Sequence, residues 1–172
     1  MTRPTRPDPV GQLADVLPGL LEGSAPTGGA LVGNQHIVTV PLGPATFTQD
    51  NDYEAILLAA PTEGTYLKRV YLAAMTAPSD DSGDSLVNVF RYDVSETDDV
   101  NVTEAANYKP DDTGSMAAKK ALKVPLTTDY HKRVASAGDV FYIEWKGATT
   151  YTAAPQDVAV TAIFVVPSVD AD

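Results

Sequence analysis

No cysteine occurs anywhere in the 172 residues. That excludes a disulfide framework, a thiolate nucleophile and every zinc site that needs sulfur. Histidine is nearly as scarce, with only His36 and His131 available for imidazole chemistry. Apolar runs are short, such as Ala55 to Ala60 and Ala162 to Val166, so no helix is expected to cross a membrane. The opening Met1-Thr-Arg-Pro-Thr-Arg-Pro continues into proline and aspartate instead of an apolar stretch, and does not read as a secretory leader. Positive charge is also in short supply. Lys and Arg number 12 against 23 Asp and Glu, a net charge of −11 that repels nucleic acid phosphate. Neither nucleic acid nor membrane is therefore an expected partner.

Site chemistry is thin. No phosphate loop, dinucleotide fingerprint, metal-ligand spacing or Gly-x-Ser-x-Gly elbow is present, so no cofactor is expected and the chain reads as a non-enzyme. Asp129-Tyr130-His131 could orient an imidazole, but a lone Asp-x-His arises by chance in so acidic a chain. His36 opens a strand and reads as a surface residue. Asp80-Asp81-Ser82-Gly83-Asp84 offers three carboxylates around a turn, yet lacks the alternating ligands and closing glutamate of a calcium loop. A pair of carboxylates for glycoside hydrolysis needs only spatial closeness, which leaves a carbohydrate-binding module or hydrolase as an alternative. That alternative calls for exposed Tyr or Trp, whereas Trp145 alternates with core positions.

The length suits one domain with its own core. Residues 1–35 hold Pro4, Pro7, Pro9, Pro18 and Pro26 together with six glycines, a composition for an extended arm. Within it Leu13, Val16, Leu17, Leu20 and Leu21 fall on one helical face, interrupted by Pro18. An apolar stripe on a loose arm needs a partner surface, so these five are the candidate interface residues.

From residue 36 to 172 the texture is β. Strands are expected at His36 to Val40, Tyr53 to Ala59, Thr65 to Met75, Leu86 to Tyr92, Asp139 to Lys146 and Asp157 to Val166. Lys68-Arg69 breaks the alternation and signals a bulge or a strand edge. Parity places Phe141, Ile143 and Trp145 on one face of their strand, and Val160, Ala162 and Phe164 with Val158 on one face of the last. Short strands without alternating helices give an all-β class, a β-sandwich or jelly-roll-like domain. The long connection between Tyr92 and Asp139 should carry one short helix at Ser115 to Lys123, ahead of Pro125.

Charge along this connection is split. Ten acids lie between Asp80 and Asp112, whereas Lys119, Lys120, Lys123, His131, Lys132 and Arg133 follow with only Asp129 opposing them. The two stretches read as solvated faces, or as matching surfaces on neighbouring copies.

Ala45 to Pro167 resembles the β-rich head decoration (cement) proteins of tailed bacteriophages. The resembling elements are Thr46-Phe-Thr, Tyr53 to Pro61, Gly64 to Leu72, the turn-strand Ala135-Ser-Ala-Gly-Asp-Val-Phe-Tyr-Ile-Glu-Trp, and Val158 to Val166. The resemblance implies a virion structural protein, made in the host cytoplasm, that binds the major capsid protein on the capsid exterior as a homotrimer. It implies no catalytic residues. A tail or baseplate protein of the same kind of virus is the alternative.

Overall fold

The computed structural model describes residues 33–82, 84–110 and 116–167. Leu13, Val16, Leu17, Leu20 and Leu21 lie outside the described residues. In chain order the elements are β1 (Gly33–Pro41), β2 (Asp52–Ala59), β3 (Thr65–Ala73), β4 (Ser79–Ser82), β5 (Leu86–Asp93) and β6 (Asp98–Asn101). Then come β7 (Leu122–Val124), helix α1 (Tyr130–Arg133), β8 (Val134–Ala135), β9 (Val140–Lys146), β10 (Thr150–Ala153) and β11 (Ala159–Pro167). The strand β1 starts at Gly33, inside the stretch assigned to the arm.

Every pairing between these strands is antiparallel. Sheet A has the order β1-β11-β3-β7, with the short β8 also on β3, and sheet B the order β2-β9-β5-β6. The chain crosses between the sheets from β1 to β2, β2 to β3, β6 to β7 and β8 to β9, while β5 and β6 form a hairpin within sheet B, and this order is the two-sheet jelly roll. The remaining ribbon, β10 with β4, ties two long loops together at one end.

The expected core faces are the observed ones. Phe141, Ile143 and Trp145 of β9 are fully buried, as are Val160, Ala162 and Phe164 of β11, with Val158 beside them. The rings of Phe141 and Phe164 meet across the two sheets at 5.3 Å, and Phe47, from the β1–β2 loop, sets its edge on Trp145 at 5.3 Å. Gly43 makes room for this loop. Its φ is +68°, and a Cβ there would lie 2.8 Å from the Phe47 ring and 2.9 Å from that of Tyr53.

Two bulges adjust the alternation. Pairing on β11 jumps from Arg69 opposite Ile163 to Leu67 opposite Phe164, so Lys68 is the extra residue in β3. Leu67 and Val70 can then both face inward, three positions apart. On β2 the extra residue is Leu57, between Ile56 opposite Tyr142 and Leu58 opposite Phe141.

The helix expected at Ser115 to Lys123 is corrected. Ser115 lies outside the described residues; Ala117–Lys120 form a turn, with Lys120 N–H donating to the Ala117 carbonyl at 3.1 Å and Lys119 at φ +61°. Leu122–Val124 pair with β3 instead. Nine residues make a marginal helix in water, whereas burying Met116 and Val124 and completing a sheet ladder fixes an extended path. The one helix among the described residues is α1, further along the same connection.

Candidate interaction surface

At the short-turn end of the sandwich, the β8–β9 turn needs Gly138 at φ +95°. The buried Asp139 carboxylate beside it accepts from Ser136 N–H at 2.9 Å and from Val94 N–H at 3.1 Å. Arg91 Nε lies 3.8 Å from the same carboxylate, an ionic contact, while Nη2 reaches Asp93 at 3.4 Å. The other terminal nitrogen, Nη1, donates to the His131 carbonyl at 3.2 Å and to the Val134 carbonyl. One acid and one guanidinium therefore hold three turns together, which accounts for the Ala-Gly-Asp pattern in purely structural terms.

Arg133 does the same for the β3 bulge. Its Nε donates to the Leu67 carbonyl at 2.9 Å and Nη2 to the Lys68 carbonyl at 2.6 Å. Its guanidinium carbon stands 4.6 Å above the Tyr66 ring, which stacks on Tyr130 at 5.3 Å. Burial pulls the Arg133 pKa down from its ordinary value, partly opposed by Tyr66. Asp129 caps α1, accepting the backbone N–H of His131 at 3.0 Å. In the Asp-x-His motif the Asp129 carboxylate thus engages the His131 backbone as a helix cap. His36 is exposed on β1.

The outer faces of the two sheets carry the surface chemistry. On sheet A, Arg69, Ile163 and Ile37 form one cross-strand row, and Lys123, Tyr71, Thr161 and Thr39 the next. Ile37 is 64% exposed. The Thr39 and Thr161 hydroxyls hydrogen-bond at 3.0 Å. On sheet B, Ile56 (66% exposed), Tyr142 and Phe90 form one row, and Glu54, Glu144 and Asn88 another. The Phe90 and Tyr142 rings stack at 5.2 Å.

A shallow groove of about 500 Å³ runs over this second face, lined by Glu54, Ile56, Tyr92, Asp99, Val140 and Tyr142 among others. Burial first, then the hydrogen bond to Asp99 and the charges of Asp99, Glu54 and Glu144, raise the Tyr142 hydroxyl well above its ordinary pKa. Beside the groove Asn88 is buried and fully engaged. It donates to Asn107 at 3.2 Å and Glu144 at 3.4 Å, and accepts from Asn107 N–H at 2.7 Å.

Asp84 pairs with Lys109 at 2.6 Å; Gly83 and the side chains of residues 80–82 lie outside the described residues. Lys119, Lys120, Lys123, His131 and Lys132 are exposed, whereas Arg133 is spent on the bulge. Trp145 is fully buried, in keeping with its alternation with core positions. Ile37, Ile56 and Glu54 were not singled out by the sequence, and Arg69 was read only as the mark of a bulge or strand edge. Parity within a strand shows which residues share its face, but not which strands lie side by side.

No family model matches the chain, and no curated protein sequence matches it. Among solved structures it is similar to a chain of the acidic stable capsid structure of Helicobacter pylori bacteriophage KHP30. The two are 19% identical over 80% of this chain and 92% of that one, with a TM-score of 0.49. It is also similar to a chain of the cyanophage Pam1 capsid asymmetric unit, 16% identical over 83% of this chain and 92% of that one, with a TM-score of 0.45.

Proposed function

We propose that the chain is a non-catalytic virion structural protein that binds the outside of an assembled phage capsid as a homotrimer and reinforces it. One observation carries this reading. The jelly roll exposes apolar side chains on both of its outer sheet faces, Ile37 on one and Ile56 on the other, among charged neighbours. Such faces suit docking of surface on surface. Jelly rolls serve viral capsids widely, although fold alone does not assign a role. The buried Asp139 and the partly buried Arg91 at the short-turn end are engaged in holding turns.

The test is to mix the purified protein with capsids stripped of it and sediment the particles. Co-sedimentation and a raised capsid disruption temperature are expected, and Leu17→Asp in the full chain should weaken binding if the arm attaches it. Electron microscopy of particles lacking the protein separates head from tail, since a tail or baseplate protein leaves the head intact.

A carbohydrate-binding module is the second reading, favoured by the groove where Tyr92 and Tyr142 stand beside Glu54 and Asp99. A glycan array without any binding removes it.

A further inference from the structure

The net charge of −11 conceals a separation between the sheets. The strands of sheet A contain Lys68, Arg69 and Lys123 and not one Asp or Glu. Those of sheet B contain six acids (Asp52, Glu54, Asp93, Asp98, Asp99 and Glu144) against Arg91 and Lys146. Both cations are already paired, Arg91 with Asp93 and Asp139 and Lys146 with Glu144 at 3.7 Å, so the strands of sheet B keep a surplus of four acids. Both outer faces also hold an isoleucine about two-thirds exposed, Ile37 on the basic side and Ile56 on the acidic side.

We propose that these faces are each other's binding surface: the outer face of sheet A on one copy seats on the outer face of sheet B on the next. Ile37 and Ile163 then cover Ile56 and the groove at Tyr142, while Arg69 and Lys123 meet Glu54, Glu144 and Asp99. The occupant is a second copy of this chain, because the complementary surface, matched in charge and in apolar centre, is carried by the chain itself. Copies repel through their net charge, but at physiological ionic strength fields decay over about 8 Å, so groups in direct contact decide the outcome. Three long strands by seven residues span roughly 14 by 23 Å, and the edge strands β7 and β6 are only three and four residues long. That is under half of the ~800 Å² that each partner of a stable complex buries, so one contact is weak and grows with concentration or with copies fixed side by side.

The faces lie on opposite sides of one sandwich, so the contact is head to tail and does not close on itself. A trimer is closed through other surfaces, and this contact links one trimer to the next. The inference rests on the reading of the chain as an assembling protein for its setting, but it is tested on the protein alone.

Sedimentation of the full chain over rising concentration, in about 0.1 M and about 1 M salt, reads the contact at Debye lengths of ~10 and ~3 Å. Assemblies that grow with concentration at low salt and shrink at high salt are expected. Glu54→Lys with Glu144→Lys, and Arg69→Glu with Lys123→Glu, should each weaken association at least tenfold, and an equimolar mixture of the two variants should restore it. Should a double variant lose its β-sheet circular dichroism, Ile37→Asp at its exposed position replaces it and should weaken association likewise. Size independent of concentration and salt, reversed variants that associate like the parent, or a mixture of folded variants that stays apart would each overturn the proposal. A chain that stays single in solution yet binds capsids overturns this contact alone and leaves the capsid role standing.

Discussion

Arg133 and Asp93 show how much of this fold hangs on single polar side chains. Arg133 gives its fork to the carbonyls of Leu67 and Lys68, which the bulge turns away from the ladder, and covers Tyr66. Arg133→Met strands those carbonyls, and a loss of about 2–3 kcal/mol is expected from denaturant midpoints at unchanged slope. Arg133→Lys keeps the charge without the fork and should recover less than half of it. Asp93 sits at a tight turn, where the Ser95 hydroxyl foremost, then Glu96 N–H, and after them Ser95 N–H and Arg91, hold its carboxyl below the ordinary value against the opposing effect of burial. A carboxyl with a folded pKa below its unfolded one contributes stability above the unfolded value, near 3.8. That contribution disappears as pH falls through the folded value. Asp93→Asn should therefore be less stable than the parent at pH 7, and the gap should narrow as pH falls below about 3.8, as followed by urea midpoints at descending pH.

At the level of elements, the β3 bulge is the feature that can be edited. With Lys68 present, Leu67 and Val70 face inward three positions apart; with it deleted, Leu67, Arg69 and Val70 alternate regularly and the same two stay inside. Deleting Lys68 should leave a folded protein with a lowered melting temperature, whereas deleting Tyr71 turns Leu72 outward and should abolish soluble expression. The bulge was legible in the sequence because Lys68-Arg69 interrupts an otherwise apolar alternation. The core faces of β9 and β11 were legible for the same reason, since each strand displays its own parity. The helix at Ser115 to Lys123 was misread because alanine and lysine favour a helix locally, and nothing local reveals that Val124 is needed beside Val70. The separation of charge between the sheets was hidden for a related reason. It exists only once β1, β3, β7 and β11 are known to be neighbours, and that is a relation between distant segments.

The whole molecule is joined at its centre by aromatic contacts, and Trp145 is the largest fully buried side chain. Trp145→Ala removes the wall on which the Phe47 ring sets its edge and should cost about 3–5 kcal/mol, read from the unfolding midpoint. Gly43→Ala should also destabilise, because the new methyl group meets both the Phe47 and Tyr53 rings. The position of β11 has a consequence for the newborn chain. It is the final strand of the described residues, yet it lies between β1 and β3 at the middle of sheet A. Until residues 159–167 leave the ribosome, β1 has no sheet partner among the described residues. At 5–20 residues per second that wait lasts roughly 6–25 s, far longer than hydrophobic collapse takes. The first of the described strands is therefore the last to find its place, and Ile37, Val38 and Val40 must stay out of trouble throughout translation.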